Sequence, residues 1–272
     1  MIVVTGATGN VGRVLVRLLA DAGEKVVAVS RTATDLNGAA HRVADLGSPE
    51  TLAEAFAGGD SLFLFGGGDR PADVVAAAKT AGIRRIVVLS SQGAGTRPDN
   101  PGHDGMRAFE AAVTASGLQW TVLRPGGFAS NAFAWAEPVR TARLAPSPFP
   151  DVALPFVDPA DIAAVAAAAL IEDGHDQRTY VLTGPAALSP RERAAVIAEA
   201  VGEPVRFVEQ TPDEARAQML AFMPPAVVES TLDIIGSPTP EEQAVSPDVA
   251  RVLGREPGDF AGWAARNVEA FR

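Results

Sequence analysis

Hydrophobic positions in the first half of the chain follow two alternating spacings. Short runs of β-branched and other apolar residues are each followed by a segment in which apolar residues recur every three or four positions. The first spacing is typical of buried strands and the second of amphipathic helices. The pattern predicts a first strand that begins at Ile2 and five more strands at residues 25–29, 41–44, 61–65, 85–89 and 119–123. Strands that alternate with helices are typical of a parallel sheet built from βαβ units.

The pattern changes after residue 128. Prolines cluster between residues 146 and 155, and strands are predicted only at 178–182 and 205–208. Helix starts are marked by a capping residue followed by proline, at Ser48-Pro49, Asp158-Pro159, Ser189-Pro190 and Thr211-Pro212. We therefore predict an α/β fold with a doubly wound parallel sheet in residues 1–128. Residues 129–272 are predicted to form a smaller α+β lobe, with a segment of about 152–171 packing back on the sheet.

Three glycines follow the first strand directly, in the sequence Thr5-Gly6-Ala7-Thr8-Gly9-Asn10-Val11-Gly12. The strand, the glycine turn and the helix after it form a unit that suits a phosphate. Unpaired N–H groups at a helix N-terminus attract an anion, and the missing side chains allow it to approach closely. The spacing GxxGxxG differs from the commonest dinucleotide fingerprint, GxGxxG. A Rossmann-type dinucleotide-binding domain is therefore predicted, and the alternative is a strand–helix turn that binds nothing.

The residues after the second predicted strand favour NADP(H) over NAD(H). An NAD site places an acidic residue there to bind the ribose 2′-hydroxyl, whereas this chain has Ser30-Arg31-Thr32. The planar guanidinium of Arg31 suits a 2′-phosphate, although a solvated surface arginine is the alternative. The predicted cofactor-binding residues lie in the glycine turn and at strand ends: Gly6, Ala7, Thr8, Gly9, Asn10, Val11, Gly12, Arg31, Asp45, Phe65, Gly66, Gly67, Ser90 and Pro125.

Composition and charge exclude several other classes of function. The net charge of −10 argues against nucleic acid as a partner, because phosphate backbones need a basic surface. The chain has no cysteine, and its three histidines, His41, His103 and His175, are far apart, so no metal site is predicted. The longest apolar run, 162–171, is too short to span a bilayer. We expect a cytoplasmic protein that acts on a small molecule, as a monomer or a homodimer.

Several motifs, spread over most of the chain, resemble the NmrA-like branch of the atypical short-chain dehydrogenases/reductases. They are TGATGNVG at 5–12, Ser30-Arg31, VVLSS at 87–91, SGLQWTVLRPG at 116–126, DPADIA at 158–163 and YVLTG at 180–184. The resemblance implies NAD(P)H binding to the first lobe and a substrate cleft between the lobes. It also implies reduction of quinones, dyes or unsaturated phenolic compounds, although some members of the family are redox-sensing regulators.

The catalytic Tyr-x-x-x-Lys pair of short-chain reductases is missing. Tyr180 is the only tyrosine and is followed four residues later by Gly184, and the only lysines are Lys25 and Lys79. When the pattern of the short-chain reductases is aligned with this chain at Glu110, the positions of the pair are occupied by Gly102 and Met106. A shift of that alignment by one residue puts His103 and Arg107 there instead. The remaining candidates for catalysis are Ser90, Ser91 and His103. Those for substrate binding are Phe128, Asn131, Phe133 and Trp135, and packing between the lobes is the alternative role for the aromatic residues.

Without that tyrosine, the residues favour an acceptor that needs little help from a proton donor. A conjugated or quinone-like acceptor delocalises the negative charge of its reduced form, whereas a simple ketone needs a proton as charge develops. We therefore predict an NADPH-dependent reductase of a conjugated, quinone-like or polycyclic aromatic molecule. The alternatives are a nonenzymatic NADP(H)-sensing regulator and a cofactor-binding isomerase or cyclase.

Overall fold

The computed structural model describes residues 1–36, 39–66 and 68–272. These residues form nine strands: β1 Ile2–Thr5, β2 Val26–Ser30, β3 Ala40–Val43, β4 Ser61–Phe65, β5 Arg85–Leu89, β6 Gln119–Pro125, β7 Leu144–Ser147, β8 Arg178–Leu182 and β9 Arg206–Glu209. The strands predicted at 25–29, 41–44 and 205–208 exist with a shift of one residue. Strand ends carry few apolar positions, so the hydrophobic pattern does not locate them sharply.

The helices of the described residues are α1 Gly12–Asp21, α2 Leu52–Phe56, α3 Pro71–Thr80, α4 Gln92–Thr96, α5 Asp104–Thr114, α6 Ala136–Ala142, α7 Pro159–Ile171, α8 Pro190–Val201, α9 Pro212–Met219, α10 Pro225–Gly236, α11 Pro240–Gln243, α12 Asp248–Leu253 and α13 Phe260–Arg266. Short 3₁₀ turns occupy Pro49–Thr51, Pro101–His103, Ala129–Trp135 and Val268–Ala270. None of these helices is long and apolar enough to cross a membrane.

Seven parallel strands form the central sheet, in the order β3-β2-β1-β4-β5-β6-β8. Chain order reverses between β1 and β4, which places a crevice at the carboxyl ends of these two strands. Ligands of open α/β sheets bind at such a switch point. The predicted Rossmann-type doubly wound sheet is confirmed.

Both faces of the sheet are buried, because successive strand residues point to opposite sides. Val4 and its neighbours on one face pack against α1, α7 and α12. Val3 and its neighbours on the other face pack against α2, α3 and α5. The resulting runs of buried apolar residues are why the strands are readable from sequence alone.

Residues beyond 128 contribute to two layers of the molecule. Strand β8 and helix α7 belong to the central sheet and to its helical cover. A separate core joins the 3₁₀ turn Ala129–Trp135 to α6, α8 and α13, beside the small parallel sheet β7–β9.

The predicted capping residues mostly cap their helices. Asp158 accepts a hydrogen bond from the Ala160 amide, and Ser189 and Thr211 each form a reciprocal capping box. Ser48 is the exception, and that prediction is wrong. The chain forms a 3₁₀ turn at Pro49–Thr51 before α2, and the Ser48 carbonyl accepts from the hydroxyl of Thr51 while the Ser48 side chain caps nothing.

Candidate active site

The glycine turn connects β1 to α1 by a tight backbone path. Gly6 has a positive φ of 60°, which favours glycine, and its carbonyl accepts from the Gly9 amide at 2.9 Å. A Cβ atom on Gly12 would lie 2.2 Å from the Gly6 carbonyl oxygen, so the helix start packs directly on the turn. The Thr5 hydroxyl donates to the Phe63 carbonyl and accepts from the Phe65 amide, both at 3.0 Å. The turn is therefore fixed to β4 as well as to its own helix.

Three successive backbone amides at the start of α1 are available to a ligand. Within the described part of the chain, the N–H groups of Asn10, Val11 and Gly12 have no hydrogen-bond acceptor. They lie at the N-terminus of a ten-residue helix, where the helix dipole is positive. The Asn10 side chain is held by the Ser130 hydroxyl at 3.1 Å, on the far side of the turn. This arrangement fits a pyrophosphate.

A cleft of about 210 Å³ opens beside these amides; we call it the glycine-turn cleft. Its walls combine the turn with apolar residues at strand ends: Thr5, Gly6, Gly9, Asn10, Val11, Gly12, Phe63, Phe65, Leu89 and Phe128. Gly66 follows Phe65 directly; its amide donates to the Leu89 carbonyl at 2.9 Å, and a Cβ atom there would approach that oxygen to 2.7 Å. Phe128 was predicted as a substrate residue, and the structure places it against this cleft. Gly67 lies outside the described residues.

The loop after β2 presents Arg31 to solvent. Its neighbour Ser30 is buried and donates to the Thr32 carbonyl at 2.7 Å, with the His41 ring 2.8 Å away. Arg31 is exposed and makes no side-chain hydrogen bond or ion pair with the described residues. Asp45, at the end of β3, is also exposed and accepts from the Gly47 amide. A fixed loop with an uncommitted guanidinium fits a 2′-phosphate.

A second cavity of about 190 Å³ lies past the ends of β5 and β6; we call it the Ser91 cavity. It brings together four predicted site residues, Ser91, His103, Pro125 and Asn131. The Ser91 hydroxyl oxygen caps α4 by accepting from the Gly93 amide at 3.2 Å, and its own O–H has no acceptor among the described residues. Ser91 can therefore donate a hydrogen bond to a ligand in this cavity.

Ser90 faces the opposite direction from Ser91. Its hydroxyl donates to Glu110 of α5 at 2.5 Å, within a buried cluster that includes Arg124. Arg124 reaches the same carboxylate with two hydrogen bonds, of 2.9 and 2.6 Å. That carboxylate holds the pKa of Arg124 above its usual value. The Ser90 side chain thus anchors the end of β5 to α5, and its predicted roles with cofactor and substrate stay predictions.

His103 is buried beside the Ser91 cavity and is fixed by its neighbours. Its Nε2 lies 2.9 Å from the Ser230 hydroxyl of α10, and the ring occupies space that a side chain on Gly93 would need. Burial lowers the pKa of His103 below its usual value, and the nearby positive charge of Arg107 adds to the effect. The imidazole is therefore neutral at neutral pH.

The lowered pKa of His103 makes stability depend on pH. An unfolded chain binds a proton at this histidine near pH 6.5 and the folded chain does so only at lower pH. The free energy of unfolding should therefore fall as pH decreases below 6.5 and level off above it. Urea unfolding between pH 5 and 8 measures this slope. His103→Asn should reduce it, and an unchanged slope in that variant would contradict the assignment.

Phe133 and Trp135 are not brought to the Ser91 cavity. Phe133 stacks on Phe271 and meets Trp263 edge to face, beside an open crevice of about 420 Å³ that also contains Arg13 and Arg266. The Trp135 indole is buried in the C-terminal core and its N–H donates to the Pro146 carbonyl at 2.6 Å. The structure accounts for both aromatic side chains by packing, and their binding of substrate stays a prediction.

Three parts of the Ser91 cavity are not indicated by the sequence. Phe156 forms one wall, Thr231, Ile234 and Ile235 of α10 form another, and Glu242 of α11 closes it. A third capping box, Thr239 to Glu242, was the signal that could have located α11. Glu242 also binds Arg97 and Thr96; although its burial acts in the opposite direction, these hydrogen bonds hold the pKa of the carboxyl below its usual value. Arg97 balances its charge.

The described residues contain no group of three potential metal ligands. Tyr180 cannot serve as the missing catalytic tyrosine, because it lies within β8 and its hydroxyl is 2.9 Å from His175. The site thus consists of a glycine turn whose unengaged amides suit an anion and of a small, mostly apolar cavity past the ends of β5 and β6.

Comparison with known proteins agrees with this geometry. A model of the NAD(P)H-binding family matches residues 6–173. The (4-alkanoyl-5-oxo-2,5-dihydrofuran-3-yl)methyl phosphate reductase of Streptomyces griseus is 38% identical over all of this chain and 99% of its own. The NAD(P)H azoreductase of Xenophilus azovorans is 34% identical, also over all of this chain and 99% of its own.

A solved structure shows the same fold with a cofactor bound. The NADPH complex of the Escherichia coli quinone oxidoreductase QOR2 has a TM-score of 0.82 and 25% identity, covering 98% of this chain and 99% of its own. The predicted resemblance and the predicted NAD(P)H binding are confirmed. The chain belongs to the NAD(P)H-binding family, and its fold is also that of an NmrA structure, with a TM-score of 0.76 at 20% identity.

Proposed function

We propose that this protein is an NADPH-dependent reductase that transfers a hydride to a conjugated, quinone-like or polycyclic aromatic molecule. The observation that carries the proposal is the row of three unengaged amides at Asn10, Val11 and Gly12, which open on the glycine-turn cleft. Its relatives over full length are reductases, so the predicted oxidoreductase class is confirmed. The preference for NADPH and the choice of acceptor are our proposals.

The glycine-turn cleft provides contacts for each part of the cofactor. The amides of residues 10–12 would bind the pyrophosphate, and Arg31 would bind the 2′-phosphate. Phe65, which is 46% exposed at the end of β4, and Phe128 would flank the bound dinucleotide. When bound, the reduced nicotinamide supplies the hydride. The chain must hold an acceptor carbon, nitrogen or oxygen about 3–3.5 Å from it and exclude water.

Replacement of Arg31 by alanine tests the preference for NADPH. We expect the Kd for NADPH to rise 10- to 100-fold, because one charge-assisted contact with the 2′-phosphate is lost. The Kd for NADH should change less than about threefold, since NADH lacks that phosphate. Fluorescence titration with both cofactors measures the two constants. Equal weakening for NADPH and NADH would contradict the role of Arg31. Arg17→Ala on the exposed face of α1 is a matched control.

The lining of the Ser91 cavity favours a planar acceptor over a simple ketone. Ser91 offers a hydroxyl group, whereas the Thr231 hydroxyl donates to the Val227 carbonyl at 2.8 Å. His103 is neutral and the Glu242 carboxylate is paired with Arg97, so the described lining offers no strong proton donor. A quinone or an azo compound needs little proton donation during hydride transfer, because its conjugated system spreads the negative charge. Ser91 is our choice for the group that relays a proton from solvent.

We also propose that the two parts of the chain divide the work. Residues 1–128 would hold the cofactor, and the lobe of residues 129–272 would supply most of the substrate walls, including Phe156 and α10. This division explains why the cofactor residues follow a local motif and the substrate residues do not. A monomer or homodimer and a cytoplasmic location stay predictions.

A quinone panel tests the function. The purified protein should oxidise NADPH when 1,4-naphthoquinone, menadione or an azo dye is added, with little oxidation in the absence of acceptor. Absorbance at 340 nm follows the reaction. Tight NADPH binding without turnover of any acceptor would instead support a regulator. Conversion of substrate without net NADPH loss would support an isomerase.

A further inference from the structure

Arg193 is a buried cation, and the proposed cofactor and substrate contacts do not explain its burial. It lies in α8 and is only 7% exposed. Its Nε–H has no hydrogen-bond partner, and no carboxylate of the described residues lies within 4 Å of the guanidinium. Other arginines near the Ser91 cavity are paired with acids, as Arg97 is with Glu242 and Arg124 with Glu110. Arg193 therefore contributes an uncompensated positive charge to the interior.

Aromatic rings hold this charge in place of an acid. The guanidinium carbon lies 3.8 Å from the ring centre of Phe156, 5.1 Å from that of Trp135 and 5.9 Å from that of Phe260. Ring faces attract a cation, but less strongly than a carboxylate does. Burial lowers the pKa of Arg193 to about 9, so the group is still protonated at neutral pH. Native proteins seldom keep an unpaired buried charge without a functional reason.

Phe156 connects this charge to the Ser91 cavity. The same ring that covers the guanidinium also lines the cavity. Gly127 packs against the ring so closely that a Cβ atom there would lie 2.6 Å from it, and the Phe156 amide donates to the Leu154 carbonyl. The ring is therefore held between Gly127 and Arg193. A positive charge consequently lies behind the cavity wall, separated from it by one aromatic ring.

We propose that Arg193 is a positioning residue that acts through Phe156 to favour negative charge on the acceptor in the Ser91 cavity. The inference rests on the proposed function, in which NADPH is oxidised while the acceptor gains a hydride and, later, a proton from solvent. Between these steps the acceptor carries one additional negative charge. A cation separated from the acceptor by one aromatic ring in a protein interior stabilises such a charge enough to change the rate about tenfold. In this chain, which lacks the usual catalytic lysine, Arg193 provides a cation from the substrate side.

Substitutions at Arg193 separate its charge from its packing. Arg193→Met keeps an unbranched apolar stem against Phe156 and removes the charge, whereas Arg193→Lys keeps the charge. With 1,4-naphthoquinone we expect Arg193→Met to lower kcat about tenfold, with KM and the Kd for NADPH changed less than threefold. Arg193→Lys should recover at least a third of the wild-type kcat. Arg191→Met is the matched control, because Arg191 lies on the same helix over the Phe207 ring but is exposed. Its kcat should not change.

A binding measurement keeps the test independent of turnover. 2-Hydroxy-1,4-naphthoquinone is an anion at neutral pH and resembles the neutral quinone in shape. Arg193→Met should raise the Kd for the anion about tenfold and change the Kd for the neutral quinone less than threefold. Calorimetry with NADP⁺ present measures both constants. Equal effects on both ligands, or a fall in Tm with a rise in KM for every acceptor, would show a purely structural role and overturn the proposal. If the wild type reduces no acceptor, the proposed function fails, and the anion-to-neutral ratio still decides the role of Arg193.

Discussion

Gly12→Ala should raise the Kd for NADPH at least 100-fold, which corresponds to about 2.7 kcal/mol of binding free energy. The added Cβ atom would lie 2.2 Å from the Gly6 carbonyl oxygen and 2.9 Å from the Ala7 Cα atom. Both are backbone atoms that cannot rotate away, so the start of α1 must move off the turn. The amides of Asn10 and Val11 would then no longer converge on the pyrophosphate. Equilibrium fluorescence titration measures the loss.

A second glycine provides the control for this substitution. Gly105 lies in the first turn of α5, and a Cβ atom there would come no closer than 3.5 Å to the described atoms around it. Gly105→Ala should therefore keep the wild-type Kd for NADPH. The Tm of each variant without cofactor separates a binding defect from unfolding, and the rise in Tm with NADPH reports binding directly. Wild-type affinity in Gly12→Ala would contradict the account of the turn.

Glu110→Ala should lower the free energy of unfolding by about 3 kcal/mol. The carboxylate accepts two hydrogen bonds from Arg124 and one from the buried Ser90 hydroxyl. Removing it leaves a partly buried guanidinium and a buried hydroxyl without their partner. Leaving a buried polar group unpaired costs more free energy than the hydrogen bond itself contributes. Because Ser90 follows β5 directly, the end of that strand should loosen as well. Urea unfolding followed by circular dichroism measures the change.

The matched control is Glu229→Ala. Glu229 also binds an arginine through two hydrogen bonds, from Arg216 at 2.8 and 3.3 Å, but both side chains are well exposed. Solvent screens an exposed pair, so this variant should keep the wild-type unfolding midpoint within error. Similar losses in Glu110→Ala and Glu229→Ala would mean that burial does not determine the contribution of Glu110.

Local patterns predicted most of the fold. The strands β1, β2, β4, β5 and β6 are buried on both faces over most of their length, so their apolar runs are long enough to identify. The capping boxes at Ser189 and Thr211 are defined within four residues of sequence. Ser48 fails as a cap because the chain forms a 3₁₀ turn at Pro49–Thr51, in which the Ser48 carbonyl and not its hydroxyl accepts the hydrogen bond. Each of these features depends on residues that are only a few positions apart. Whether its prediction is right or wrong is therefore determined by local interactions.

The Ser91 cavity could not be predicted in the same way. Its walls join residues from β5 and β6 with Phe156, α10 and Glu242, which are far apart in sequence. The opposite directions of Ser90 and Ser91 follow from Glu110 and Arg124 on other elements, and two adjacent serines look equivalent in the sequence. The isolation of Arg193 from any acid likewise depends on tertiary packing. Tertiary contacts therefore determine the chemistry of this site more than local motifs do.

Hydride transfer from NADPH to a conjugated acceptor can be observed in a stopped-flow single turnover of NADPH deuterated at the transferred C4 position, mixed with 1,4-naphthoquinone. We expect acceptor-dependent oxidation at 340 nm with a primary isotope effect. Gly105→Ala should keep this effect, and Gly12→Ala should lose the oxidation because it no longer binds NADPH. Oxidation without an isotope effect for any acceptor tested, or no oxidation while NADPH is fully bound, would contradict the proposed hydride transfer.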